Sequence, residues 1–244
     1  MKDSFVAFFD ILGFKNLVDR NSHEDLIEIY EESLYENLNL TDKYFDPIYK
    51  IITPLNETNS LHIKTYVISD SIILVQPDLT KRGFVNLIAK CQVLLASSLA
   101  DGIPLRGALS YGPLSILENS RGTTIVGRGL TKAYSLESLQ QWSGGIIDEE
   151  CFGLFLEEPA ESLINNLLSN SKNPLIIKYR IPLKENKFID GYGFNWPQYN
   201  LLNNENDVTS AFTKHKKKIS SEKETLMIEN TVKYFHHAKS LIQK

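Results

Sequence analysis

Two aspartates and one arginine occupy positions in this chain where strands end and chemistry can begin. Asp10 closes the apolar run Ser4-Phe5-Val6-Ala7-Phe8-Phe9, and Asp70 lies in the polar turn Ser69-Asp70-Ser71 between two strand-like segments. A carboxylate ending a buried strand is poorly placed for packing and well placed at a cleft. If the two strands are neighbours, the pair can share divalent ions about 3.5–4 Å apart and stabilise both oxygens of a phosphoryl transfer. Each also has a plainer reading, Asp10 as the cap of the following helix and Asp70 as a turn residue. Arg106, next to Gly107 in another apolar strand, requires an anionic partner, either a phosphate or an internal carboxylate. Between them, Ile11-Leu12-Gly13-Phe14-Lys15 turns into a helix start whose free N–H groups favour phosphate. Gly13 permits close approach there, and Lys15 is either a point charge for a triphosphate or a solvent-facing lysine.

The elements that must position these residues follow from hydrophobic periodicity. Residues 4–10 read as a buried central strand, and residues 23–40 as an amphipathic helix with Leu26, Ile27, Tyr30, Leu34 and Leu38 on one face. Residues 59–70 and 71–76 read as two strands, and 82–100 as a strongly apolar helix ended by Asp101-Gly102. A strand at 105–111 is followed by a Tyr-Gly-Pro turn and a partner strand at 114–117. Gly127 opens a helix reaching Leu139. Beyond it come a strand at 144–147, a helix at 149–168, strands at 175–181 and 187–192, an Asn195-Trp196-Pro197 loop and a helical end over 207–240. The order predicts an α+β sandwich, one mostly antiparallel sheet with helices on one face. Residues 1–140 form the core, and 141–244 an α/β extension that completes or caps the same domain.

Bulk properties narrow the classes. With 244 residues, 42% hydrophobic and 23% charged, the chain can bury a sizeable core without disulfides or a structural metal. Cys91, in an apolar segment, reads as a small buried hydrophobe; two unclustered thiols suit a reducing cytoplasm. The N-terminus runs directly into a strand, so no signal peptide is expected, and no run of eighteen apolar residues points to a membrane. The net charge of −4 argues against a duplex-binding face. The basic cluster Lys214 to Lys218 reads as a solvated linker or helix end.

Four segments, in order, resemble the class III nucleotide cyclases. These are Phe8-Phe9-Asp10-Ile11-Leu12-Gly13-Phe14, Ser69-Asp70-Ser71, Leu105-Arg106-Gly107 through Gly112, and Gly127 through Leu136-Glu137. The resemblance implies a ferredoxin-like cyclase fold and a homodimer with sites between subunits. Asp10, Asp70 and the Ile11 carbonyl would hold two Mg²⁺ or Mn²⁺ ions per site. A nucleoside triphosphate would be cyclised by in-line attack of its 3′-hydroxyl on the α-phosphate, with pyrophosphate leaving. Arg106 would hold the triphosphate, with Phe14 and Lys15 among the substrate contacts.

Departures from the family sharpen the reading. The purine-reading lysine falls on Tyr66, its acidic partner on Thr124, the helix asparagine on Thr131 and the transition-state arginine on Ser135. Arg128 and Lys132, on the same helix, are the candidates to replace that arginine. Tyr66 and Thr124 offer stacking and neutral hydrogen bonds, which suit a pyrimidine. The combination resembles the pyrimidine cyclases of the bacterial Pycsar anti-phage systems, whose tails carry matches to Asn195-Trp196-Pro197 and Asn230-Thr231. That implies cyclic UMP, or else cyclic CMP, as a second messenger for a separate effector. A purine cyclase and a degenerate nucleotide-binding regulatory domain remain as alternatives.

Overall fold

A computed structural model of the chain describes residues 2–40, 62–154, 159–169 and 174–242. The strands are β1 (Lys2–Ile11), β2 (Lys64–Ile68), β3 (Ser71–Gln76), β4 (Leu105–Asn119), β5 (Gly122–Val126), β6 (Gly144–Ile147), β7 (Ile176–Pro182) and β8 (Phe188–Phe194). The helices are α1 (Phe14–Arg20), α2 (His23–Ile29), α3 (Lys81–Ala100), α4 (Arg128–Leu139), α5 (Ala160–Leu168), α6 (Glu205–Ala211) and α7 (Glu222–Ile242). One sheet runs β2-β3-β1-β4-β6-β8-β7, with β5 paired to β4 beside that path. Every pairing is antiparallel except β4 with β6. The first four strands and their helices form a β-α-β-β-α-β unit ordered β2-β3-β1-β4, the ferredoxin-like arrangement within an α+β fold. The expected extension enters the same sheet, because β6, β8 and β7 continue it beyond β4.

Strand β1 lies at the centre and alternates between two cores. Phe5, Ala7, Phe9 and Ile11 enter the main core, while Val6 and Phe8 enter a smaller cluster on the opposite face. Burial on both faces is why this strand reads as an unbroken apolar run rather than an alternating one. Phe5 and Phe9 have no exposed surface, and each contributes about 1.5–3 kcal/mol through burial. Asp10 continues the row of Val6 and Phe8, so its carboxylate emerges on the small-cluster face. Most helices gather against the main core, and α4 lies across the other face over β1 and β4.

Several boundaries differ from expectation for identifiable reasons. The expected turn at Tyr111-Gly112-Pro113 is absent, and β4 continues to Asn119 with Lys2 to Ser4 pairing opposite Leu114 to Gly112. Gly112 serves helix contact instead, since a Cβ there would meet the Gly129 nitrogen at 3.1 Å. The helix expected over 23–40 contains a π-helical stretch, Tyr30–Tyr35. In the α-helical turn that precedes it Ile29 is buried, while Ile27, expected on the inner face, is exposed. The helix expected over 149–168 is a 3₁₀ segment, Glu149–Leu154, and a separate α5 that starts after Pro159. The C-terminal helix is likewise two helices, α6 and α7. Residues 59–61 of the strand expected over 59–70 lie outside the described residues.

Helix α3 is long and apolar enough to cross a membrane by composition, contrary to the reading that no segment qualifies. Of that stretch 83% is buried inside the protein, which accounts for its hydrophobicity. Both cysteines are buried free thiols.

The basic cluster Lys214 to Lys218 is no solvated linker. Lys214 Nζ and His215 Nε2 reach the carbonyls of Ala100 and Asp101, and Lys217 Nζ donates to the Gly102 carbonyl at 2.7 Å. These are carbonyls at and just past the end of α3, where basic groups are favourable. Lys217 is 6% exposed, and burial lowers its pKa from the lysine value of 10.5 to about 8. The unfolded chain therefore binds more protons between pH 8 and 10.5, and stability rises across that interval. Keeping the buried charge at neutral pH costs about 3 kcal/mol. Lys217→Met is expected to stabilise the fold by about 1–2 kcal/mol at pH 7, after the Gly102 carbonyl loses its donor, and to remove the alkaline rise. Urea unfolding at pH 7 and pH 10 measures both effects; an unchanged difference between the two pH values refutes the assignment.

Candidate active site

Asp10 faces Ser71 on β3 and Arg106 on β4, so three neighbouring strands carry one row of polar residues at the sheet's end. The β2–β3 turn curls Asp70 over that row, and the Ile11 N–H donates to the Asp70 carbonyl at 3.0 Å. Ser69 adopts a left-handed φ of 55°, a conformation that costs a non-glycine residue about 1 kcal/mol. The Tyr30 hydroxyl donates to the Ser69 carbonyl at 2.8 Å and holds the turn in place. The π-helical stretch that carries Tyr30 thus buttresses Asp70.

The Asp10 and Asp70 side chains come within hydrogen-bonding reach of each other. Asp10 is pushed from 3.8 up to about 6, first by burial, then by the negative charges of Glu137 and Asp70, against the lowering effect of Arg106. Arg106 Nη2 lies 3.7 Å from Asp10 Oδ2, and Arg106 Nε is bonded to Glu137 Oε1. The guanidinium also donates to the Gln140 carbonyl at 3.3 Å. Of the two partners considered for Arg106, this arrangement contains the internal carboxylate.

Glu137 is the residue that reading by segments passed over. It is 2% exposed and lies on the inner stripe of α4 with Gly129 and Ala133, four residues apart. A charged residue ending a small-residue stripe was the available signal. Burial raises its pKa, and Arg106 opposes that rise. Lys184, at the β7–β8 turn, lies in electrostatic range of Asp10, Glu137, Arg106 and Lys223. None of these lysines stands near the first two strands in sequence.

Asp10 and Asp70, two meeting carboxylates with oxygen donors, have the chemistry a hard divalent cation takes, while Glu137 is committed to Arg106. Among the described residues no group of three or more His, Cys, Asp or Glu converges as a complete metal cage. The two carboxylates on their own would leave most positions around a divalent ion to water and substrate oxygens, the usual habit of Mg²⁺.

The remaining candidates are distributed as follows. Phe14 packs against the main core. Lys15 is exposed and paired with Asp19 one helical turn on. Helix α1 has only seven residues, and Gly13 is required there by its left-handed φ of 75°. Tyr66 lies on the same face as Asp10, because it pairs with Ile73, which pairs with Phe8. Two strands across and two residues along place it on the order of 12 Å from Asp10.

Tyr66, Ile116 and Ile125 all pack against the small cluster, the last two from the β4–β5 ribbon. Strand alternation then turns Thr124 to the other side of that ribbon, while Glu118 shares the Tyr66 side; burial first, and then the Glu118 charge, raise the Tyr66 pKa. Thr131 and Ser135 are exposed on α4, their hydroxyls bonded to the carbonyls four residues back. Lys132 is held by Asp148 at 2.6 Å and Glu150 at 2.7 Å, which removes it as a replacement arginine within this chain.

The tail segments hold the fold together. Asn195 donates to the Pro174 carbonyl, and Trp196 is buried. Asn230 donates to the Gln141 carbonyl, and the Thr231 hydroxyl accepts from the Ser143 N–H. These two bonds fasten α7 to the segment entering β6.

No family model matches the chain, and no curated protein matches it. Among solved structures it is similar to the monomeric guanylyl cyclase domain of the RhoGC fusion protein from the aquatic fungus Blastocladiella emersonii, at 18% identity over 63% of this chain and 84% of that one, with a TM-score of 0.43. It is similar to the adenylyl cyclase CyaB from P. aeruginosa, at 18% identity over 79% and 93%, with a TM-score of 0.42. A third, the guanylyl cyclase Cya2, has 9% identity over 79% and 90%, with a TM-score of 0.45.

Proposed function

We propose that this chain is a metal-dependent nucleotide cyclase converting UTP or CTP to its 3′,5′-cyclic form plus pyrophosphate. The observation that carries the reading is the meeting of Asp10 and Asp70 at the ends of adjacent strands, beside Arg106. A divalent ion pair, when bound there, supplies Lewis-acid stabilisation and lowers the pKa of the attacking hydroxyl. Asp10 and Asp70 would bind and orient that centre, and Arg106, fixed by Glu137, would face the phosphate charge. No histidine base is needed, and none lies in the row.

The base would meet Tyr66 and Glu118. Stacking on the phenol ring and a carboxylate able to accept from the cytosine N4 amino or uracil N3–H suit a pyrimidine edge. The exposed apolar side chains Leu117, Val126, Tyr134 and Leu139, all on the β4–β5 ribbon or α4, support a homodimer built on that side. Such a dimer would bring base-reading and metal-holding halves together across the interface. The cyclic product would act in the cytoplasm as an anti-phage signal for a separate effector.

The test is incubation of the purified protein with each of the four nucleoside triphosphates and Mn²⁺, followed by product identification. A cyclic pyrimidine nucleotide is expected; bound nucleotide with no cyclic product from any of the four defeats the reading. Tyr66→Lys is expected to shift the preference toward purines by about 10-fold, roughly the discrimination of one good base contact. An identical substrate profile would remove Tyr66 from the base site.

A further inference from the structure

We propose that the segment from Lys217 to Glu224, with Lys184, forms a polyphosphate-binding wall beside Arg106, in which Lys218 and Lys223 hold the phosphates of the substrate distal to the Asp10–Asp70 pair. The identity of the ligand as a nucleotide's triphosphate rests on the cyclase reading; the anion site itself does not.

A cavity of about 330 Å³ carries Arg106, Lys217, Lys218, Lys223 and Glu224 on its charged part and is otherwise lined largely by apolar side chains such as Leu12, Phe212 and Met227. It adjoins the carboxylate row, because Leu12 follows β1 directly and Arg106 belongs to both. The volume is at the small end of the range for ligand sites, suited to a compact charged group rather than a whole nucleotide.

The wall is built, not merely present. Asn16 grips Lys218 twice, donating to its carbonyl at 2.6 Å and accepting from its N–H at 3.3 Å. Asn21 donates to the His215 carbonyl at 2.9 Å, and Lys217 is fastened to Gly102. These bonds cross about two hundred residues of sequence and hold the backbone between α6 and α7 against α1.

The cavity's charge is unbalanced in favour of an anion. Lys217 is committed to the Gly102 carbonyl. Glu224, the carboxylate that lines the cavity, turns back to accept from the N–H groups of Ser220 and Ser221 and from both their hydroxyls, and Glu222 of the same segment is exposed and outside the lining. Among the described residues, no carboxylate lies within ion-pair distance of Lys184, Lys218 or Lys223. Burial first, and then the neighbouring cations Arg106 and Lys223, lower the Lys184 pKa against the opposing pull of Glu137 and Asp10. A chain of phosphates supplies several negative charges at the spacing such a group of cations needs.

The experiment uses the full chain in EDTA with inorganic tripolyphosphate as the probe, titrated calorimetrically. Wild type should bind, and the Lys218→Ala/Lys223→Ala double variant should bind at least 10-fold more weakly with a shallower salt dependence. Both lysines are exposed at their backbone positions, so the variant should keep the wild-type unfolding temperature. Lys233→Ala, on the exposed side of α7, is the charge control and should bind as wild type does. Equal affinity of the double variant and wild type, or no binding by wild type, overturns the proposal.

In turnover with the preferred triphosphate, the double variant should raise KM more than it lowers kcat. If cyclic product forms and KM is unchanged, the wall is wrong and the cyclase reading stands. If wild type binds tripolyphosphate, the variant does not, and no nucleotide is cyclised, the wall stands and the cyclase reading falls.

Discussion

Asp70→Ala should lower cyclic-nucleotide formation at least 100-fold while leaving the fold intact. Substituting residues that merely support metal ligands commonly costs about 10–100-fold, and Asp70 is placed as a ligand itself. Its side chain is half-buried on a turn, with its main contact the Asp10 carboxylate, so truncation removes repulsion rather than packing. The unfolding temperature should therefore be unchanged or slightly raised, and the Asp10 pKa should fall while burial and Glu137 still hold it above the ordinary carboxylate value. Product chromatography and circular dichroism measure the two parts separately. Retained turnover would show that the pair does not hold the catalytic metal; a lost fold would show that the turn does more for stability than its contacts indicate.

Glu137→Ala should destabilise the protein by about 3–5 kcal/mol, the cost of stranding one member of a buried ion pair. Glu137 is almost fully enclosed, and its partner Arg106 faces only Asp10 and a backbone carbonyl besides. A domain's whole stability is typically about 5–15 kcal/mol, so the loss would be plain in urea unfolding. Glu137→Gln, which keeps an acceptor of the same size, should lose much less. A loss below about 1 kcal/mol in the alanine variant would mean that water or another anion reaches Arg106. The same substitution should impair turnover even at temperatures where the protein is folded, because Arg106 is then free to leave the site.

What could be read locally and what could not divide along a physical line. Asp10 was visible because a charged residue ended an apolar strand, and Asp70 because a polar turn interrupted two apolar ones. The position of Thr124 relative to Tyr66 depended on which neighbour entered the core. Once Ile125 packs inward, pleat alternation sends Thr124 away and brings Glu118 forward. The π-helical stretch in the second helical segment was not legible, since a change of helical period arises from packing and from the bond between Tyr30 and the Ser69 turn. The turn expected at Gly112 failed for a similar reason. Glycine and proline often break a strand, but here β1 pairs through them and α4 needs the missing side chain.

By itself the sequence determined the alternation of strands and helices, the two-faced burial of the central strand and the two carboxylates at strand ends. Each of these depends on backbone periodicity, a property of a few consecutive residues. Only the tertiary structure decided that Arg106 is held by Glu137, and that Lys184 and Lys223 gather beside it from the far end of the chain. Only it decided that Lys214, His215 and Lys217 reach the carbonyls at the end of α3. Convergence of that kind is set by the order of strands in the sheet and by where the last helix docks. Both depend on contacts between residues tens of positions apart or more, to which local periodicity is blind.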